Sequence, residues 1–224
     1  MKDLQENIVP AAGQNAANFY VHTQNAKGKR FLFVGNSITK HGIKPSIGWM
    51  RDCGMAASAP EKDYVHLLEQ RILQELPDAC FAILQVAEYE RSFLQQTPAQ
   101  LYASAPQVKA YAPDIAIFFF GANVPKEYDT MQHPEKSFGQ AWEDLRQYLD
   151  TGHTVFLHAQ GFYIRPILDA EKTQIAEKYH EPLIPMEDIR TREDTHGLFN
   201  HPNDFGMQCI ADRFYEYLKP FLGV

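Results

Sequence analysis

Three short blocks of the 224-residue sequence hold side chains whose types together could break an ester. They are Gly35-Asn36-Ser37, Gly121-Ala122-Asn123 and His201-Pro202-Asn203-Asp204. A serine hydroxyl is a poor nucleophile at neutral pH until a base removes its proton, and an imidazole is matched to that task. Ser37 is therefore the candidate nucleophile and His201 the candidate base. Attack on an acyl carbonyl creates an oxyanion that fixed N–H donors stabilise, each worth on the order of 3 kcal/mol in the transition state. The amide of Ser37, a glycine amide and the side chain of Asn123 are the candidate donors.

Residues so far apart meet only if the fold brings strand ends together. Arg30 to Val34 is a strand-like run that leads straight into Gly-Asn-Ser, and Asp114 to Gly121 is apolar on both faces, as a central parallel strand requires. Further strand runs are read at 79–86, 154–159 and 182–186. Helical spacing is read over 61–76, with Ser58-Ala59-Pro60-Glu61 as a capping box, and over 99–112, interrupted by Pro106. It recurs at 137–150, 166–179 and 204–222, where Met207, Ile210, Ala211, Phe214, Leu218 and Phe221 share one face. Strands alternating with helices imply βαβ units around a mostly parallel sheet of about five strands. In such a sheet the C-terminal strand tips share one edge, where ligands bind. Residues 1–28 show no sustained period and read as an arm, pinned by Phe19, Tyr20 and Val21, against one domain over 29–224.

The net charge of -7, with no Lys/Arg stripe, argues against nucleic acid as a partner. Cys53, Cys80 and Cys209 fit neither a disulfide framework nor a paired-cysteine metal site, which points to a reducing compartment. The first residues lack the apolar segment of a secretion signal, and no run is long enough to span a membrane, so a cytoplasmic location is expected. His196 and His201 with Asp204 are a weak metal-ligand pattern, and Asp204 reads better as a helix cap. Trp49, Glu88, Tyr89, Arg91 and Tyr163 fall in or near strand-end loops and are candidate pocket residues; Cys53 reads as a buried small hydrophobe. Phe118 to Phe120 read as core.

The three blocks resemble the signature blocks of the SGNH hydrolases, also called the GDSL esterase/lipase family. Gly35-Asn36-Ser37 is similar to the block of the nucleophile, with Asn36 where aspartate is commoner; Gly121-Ala122-Asn123 resembles the oxyanion block; His201 with Gly206 resembles the block of the base. The resemblance spans residues 30–222 and implies a flavodoxin-like three-layer α/β/α sandwich. It also implies hydrolysis of short acyl esters, often acetyl groups on carbohydrates, with no cofactor or metal, and a small-molecule ester, such as an acylated sugar, as partner. It assigns a further oxyanion glycine, for which Gly54 fits better than Gly48. The family's acid stands three residues before the histidine, and here that position is Leu198. Asp194 or Glu193 folding back, a backbone carbonyl, or a bare Ser37–His201 dyad are the alternatives. Two rival readings follow: a catalytically weak domain kept for carbohydrate binding or scaffolding, and a flavin or phosphate binder. The loop after the first strand lacks the Gly/Ser/Thr run that would cradle phosphate.

Overall fold

A computed structural model describes residues 18–23, 27–131 and 135–223. Its centre is a six-stranded sheet of order β1-β3-β2-β4-β5-β6, formed by β1 (Phe19–Thr23), β2 (Arg30–Gly35), β3 (Cys80–Gln85), β4 (Ile115–Phe119), β5 (Val155–Ala159) and β6 (Leu183–Ile184). All neighbours pair in parallel except β1, which runs antiparallel on the outer side of β3. The described part of the expected N-terminal arm is thus an edge strand of the sheet; residues 1–17 and 24–26 lie outside the described residues. Five residues are too short a run for period alone to reveal it.

Both faces of the sheet are covered, which explains why its strands are apolar throughout. Phe31, Phe33, Ile115, Ile117 and Phe119 point to a core shared with α1 (Tyr64–Glu75) and α8 (Asp204–Leu218). Leu32, Val34, Ala116 and Phe118 point the other way, toward α5 (Phe138–Leu149) and α6 (Pro166–Tyr179). Between β3 and β4 lie the short helices α2 (Ala87–Ser92), α3 (Pro98–Leu101) and α4 (Gln107–Ala110); α7 (Glu187–Arg190) follows β6. The architecture is the predicted α/β sandwich. Fully buried Phe214 and Leu218 on α8 contribute on the order of 2 kcal/mol each by leaving water.

Several local expectations change. The helix expected from residue 61 begins at Tyr64, because Pro60–Lys62 forms a 3-10 turn and Asp63 caps the helix by accepting the His66 N–H. Ser58 caps nothing there; its N–H and hydroxyl donate to Asp204. The stretch around Pro106 splits into α3 and α4, and α8 stops at Leu218 before a 3-10 turn. Among the described residues no helix is long and apolar enough to cross a membrane.

Candidate active site

Ser37 stands just beyond the C-terminal end of β2, in a turn closed by the N–H groups of Thr39 and Lys40 on the Asn36 carbonyl. The turn needs glycine at 35: a Cβ there would lie 1.7 Å from Thr39 Oγ1. The β2–β4 register sets Gly35 opposite Phe119, so the Gly121-Ala122-Asn123 block follows β4 at the same sheet edge at which Ser37 follows β2. His201 arrives from the far end of the chain on the segment before α8, and its Nε2 lies 2.8 Å from Ser37 Oγ.

The segment that carries His201 is unusual in its backbone. Phe199 and Asn200 both adopt left-handed conformations, with φ of 59° and 57°, a region that a bulky side chain enters at a cost. The consequence is chemical: the turn aims the Phe199 carbonyl at His201 Nδ1, 2.9 Å away, so that Nδ1–H donates to it. With that proton on Nδ1, the Nε2 lone pair faces the Ser37 hydroxyl. The Tyr163 hydroxyl also lies 3.1 Å from Nδ1. Leu198 is exposed, and Asp194 is paired with Arg192, so the Phe199 carbonyl and the Tyr163 hydroxyl, not a carboxylate, are the groups that meet Nδ1. Burial, and secondarily His41, hold the His201 pKa below its ordinary value, while the Phe199 carbonyl works in the opposite direction.

A carboxylate absent from the sequence-based site organises the other half. Glu90, on α2, is fully buried. It accepts from the Asn36 side chain at 3.0 Å, from the Asn123 side chain at 2.5 Å and from the Gly121 N–H. Asn36 in turn accepts the Ile38 N–H, so the first and second blocks are braced through a single acid. One Asn123 amide hydrogen is held by Glu90 and the other is left to donate. Burial raises the Glu90 pKa against the opposing pull of these donors. Behind Gly121 lies Lys172, buried and 3.7 Å from Asp169, its pKa lowered by burial to about 8.

Gly54 departs from expectation. Its N–H donates to Asp63 Oδ2 at 2.9 Å and is therefore not a free donor. The glycine is required by packing instead, since a Cβ would meet the Ile38 carbonyl at 2.4 Å. The neighbouring Met55 N–H donates to the Ser37 carbonyl, so this loop still supports the serine. Gly48 ends a 3-10 turn with φ of 76°.

Of the candidate pocket residues, Trp49 and Tyr89 are buried packing groups, with the Tyr89 hydroxyl on the Ala141 carbonyl. Glu88 and Arg91 line a polar crevice with Tyr20, Lys40 and His41, and Arg91 reaches Asn123 Oδ1 at 3.4 Å. The Cys53 thiol is buried, which pushes its pKa to about 12 and makes it inert. The weak His196–His201–Asp204 metal pattern disperses: His196 bonds Asn200 and the Arg190 carbonyl, while Asp204 holds Ser58 and Lys62. Asn203, not Asp204, caps α8.

The six-stranded sheet with helices on both faces is similar in fold to solved esterases and GDSL-like lipases. TesA aligns over 86% of this chain and 99% of its own at 16% identity, with a TM-score of 0.57. A two-domain esterase active on acetylated mannans, co-crystallised with mannopentaose, aligns over 88% of this chain at 18% identity and a TM-score of 0.56. The chain spans 50% of that protein's length. A protein described as a GDSL-like lipase, from Bacteroides uniformis, aligns over 86% of this chain and 96% of its own at 15% identity, with a TM-score of 0.51. No protein-family model matches the sequence, and no curated protein matches it.

Proposed function

We propose that this protein is a serine hydrolase acting on short acyl esters, with Ser37 as nucleophile and His201 as general base. The observation that carries the reading is the 2.8 Å approach of Ser37 Oγ to His201 Nε2, in the tautomer that the Phe199 carbonyl selects. Ser37 Oγ attacks the acyl carbon while Nε2 takes its proton; the imidazolium then protonates the departing alkoxide, leaving an acyl-serine. Water, deprotonated by the same Nε2, releases the acid. The Ser37 N–H, which donates to no group among the described residues, and the outward Asn123 amide hydrogen are the donors for the oxyanion.

An acetyl or similarly small acyl group on a sugar is the substrate class we favour. The polar crevice of Tyr20, Lys40, His41, Glu88 and Arg91, which touches Asn123, supplies hydrogen-bonding groups suited to a hydroxyl-rich leaving group. The mannan esterase among the structural neighbours acts on such esters. Cys53, Cys80 and Cys209 form no disulfide among the described residues, which suits a reducing, cytoplasmic setting.

The replacement of the family's acid by Leu198 favours one rival, a binding or scaffolding module that keeps the pocket without turnover. Hydrolysis of a short-chain aryl ester by wild type and Ser37→Ala, with labelling by an organophosphonate, separates the two. Turnover and covalent labelling in wild type, both lost in Ser37→Ala, support the hydrolase. Equal rates in the two proteins and an unlabelled serine would overturn it.

A further inference from the structure

Outside the serine site, one other group of side chains is gathered in the manner of a cation site. His22 on β1, with His66 and Glu69 on α1, places one nitrogen of each imidazole and one carboxylate oxygen within 4.8 Å of one another. It is the one such group of three among the described residues. The topology explains the gathering. His66 and Glu69 are three residues apart on a helix and so share a face. His22 comes from the edge strand, at the point where the β1–β3 register shifts between Val21 and Thr23. A bulge of this kind turns a side chain out of the regular pleat. The His22 and His66 rings stack with centroids 5.1 Å apart, and Glu69 is 9% exposed.

The surroundings resemble those of bound metals. His66 Nδ1 lies 2.8 Å from Asp63 Oδ1, and Asp63 is itself buried. In the neutral imidazole Nδ1–H donates to that carboxylate, which leaves Nε2 with a lone pair; metal-bound histidines are oriented by an acid in this way. His22 Nδ1 lies 2.7 Å from Glu69 Oε1, a contact that holds a proton between them. A tetrahedral ion with bonds near 2.1 Å needs its donor atoms about 3.4 Å apart, so small rotations of the three side chains suffice. Opposing a cation is the Lys40 ammonium, which stacks on Tyr20, two residues before His22 on β1, and acts electrostatically on His66. Its presence calls for moderate affinity.

We propose that His22, His66 and Glu69 bind a divalent ion of the zinc class, the proton between His22 Nδ1 and Glu69 moving to His22 Nε2 as Nδ1 and the carboxylate bind the ion, and water filling its fourth position. The ion fastens the edge strand β1 to α1. Asp63, which orients His66, also holds the Gly54 N–H, so the site stiffens the loop that meets Ser37 through Met55. The inference does not depend on the hydrolase reading.

Metal-stripped full-length protein titrated with Zn²⁺ against a chromogenic chelator should bind one equivalent with a Kd in the micromolar range or below. Co²⁺ should give the visible bands of a tetrahedral ion, and Zn²⁺ should raise Tm by several degrees. His22→Asn, His66→Ala and Glu69→Gln should each weaken binding by about tenfold or more and abolish the Tm rise; Asp63→Asn should weaken it by about tenfold through the outer shell. His22 lies on an edge strand and Glu69 on the flank of a helix, so these two variants stay informative if His66→Ala fails to fold. No binding by wild type at about 0.1 mM Zn²⁺, or equal binding by wild type, His22→Asn and Glu69→Gln, would overturn the site.

Discussion

The Phe199 carbonyl oxygen lies 2.9 Å from His201 Nδ1, where a carboxylate would stand in an ordinary catalytic triad. A carbonyl fixes the tautomer as a carboxylate does, but it brings no net charge to stabilise the imidazolium that the proposed mechanism requires. Its position depends on the left-handed backbone at Phe199 and Asn200.

That dependence can be tested at a single position. Glycine enters the left-handed region freely, whereas a β-branched residue resists it. The Phe199 side chain is half exposed, so little packing is lost on replacing it. Phe199→Gly should keep kcat on an aryl ester within about threefold, and Phe199→Val should lower it by about tenfold or more as the turn relaxes and the carbonyl leaves Nδ1. An NMR signal from the His201 Nδ1 proton should persist in the glycine variant and broaden in the valine variant. Full activity in Phe199→Val would show that the carbonyl does not orient the base.

Glu90 offers a sharper contrast between structure and activity. Its oxygens accept from donors held in place: the Gly121 N–H, the Asn36 amide, whose Oδ1 accepts the Ile38 N–H, and the Asn123 amide, whose Oδ1 faces Arg91. In Glu90→Gln one acceptor becomes an NH2 group facing donors, and a buried unsatisfied donor costs about 1–3 kcal/mol. Urea unfolding should show a loss of about that size. Because Asn123 is released from its brace, kcat should fall by at least about tenfold while KM changes little, the pattern of an interaction made only in the transition state. A stability loss with unchanged kcat would make Glu90 structural alone.

These residues show what the sequence could and could not reveal. β2 and β4 were legible because strands buried on both faces leave unbroken apolar runs, and the position of Ser37 just beyond a strand end was legible with them. Glu90 was not, because Ala87-Glu88-Tyr89-Glu90-Arg91 reads as an exposed polar turn. Only the β3-β2-β4 order brings Gly121 and both asparagines around that acid. The role assigned to Gly54 failed for a similar reason: Asp63, nine residues on, claims its N–H once α1 docks. The carbonyl partner of His201 depends on two backbone torsions, which side-chain identities do not encode.

With His201 as the proposed base, its lowered pKa predicts the acidic limb of activity. The base works when neutral, so kcat/KM on a neutral ester should hold through neutral pH and fall only below an apparent pKa that lies under the ordinary imidazole value of about 6.5. Burial is the main cause, and His41 adds to it by repulsion. Removing that neighbour in His41→Ala should move the limb toward higher pH without abolishing turnover. A limb above the ordinary imidazole value, or one unmoved by His41→Ala, would contradict this account of the site.

Lys172 makes a prediction about stability. Its ammonium is 1% exposed beneath Gly121, and burial lowers its pKa to about 8, against the attraction of Asp169 and Glu90. In the unfolded chain the same amine keeps its proton to about pH 10.5. Between these values the unfolded state binds more protons than the folded one, so the contribution of Lys172 to stability rises with pH across that window and is constant below it. Replacing it by methionine removes the titration and leaves Asp169 paired with Arg190 at 2.6 Å. Urea unfolding at pH 8 and 9.5 should therefore show wild type gaining about 1.5 kcal/mol relative to Lys172→Met. Parallel behaviour of the two proteins would mean that the lysine keeps an ordinary pKa, and that water reaches its ammonium behind Gly121.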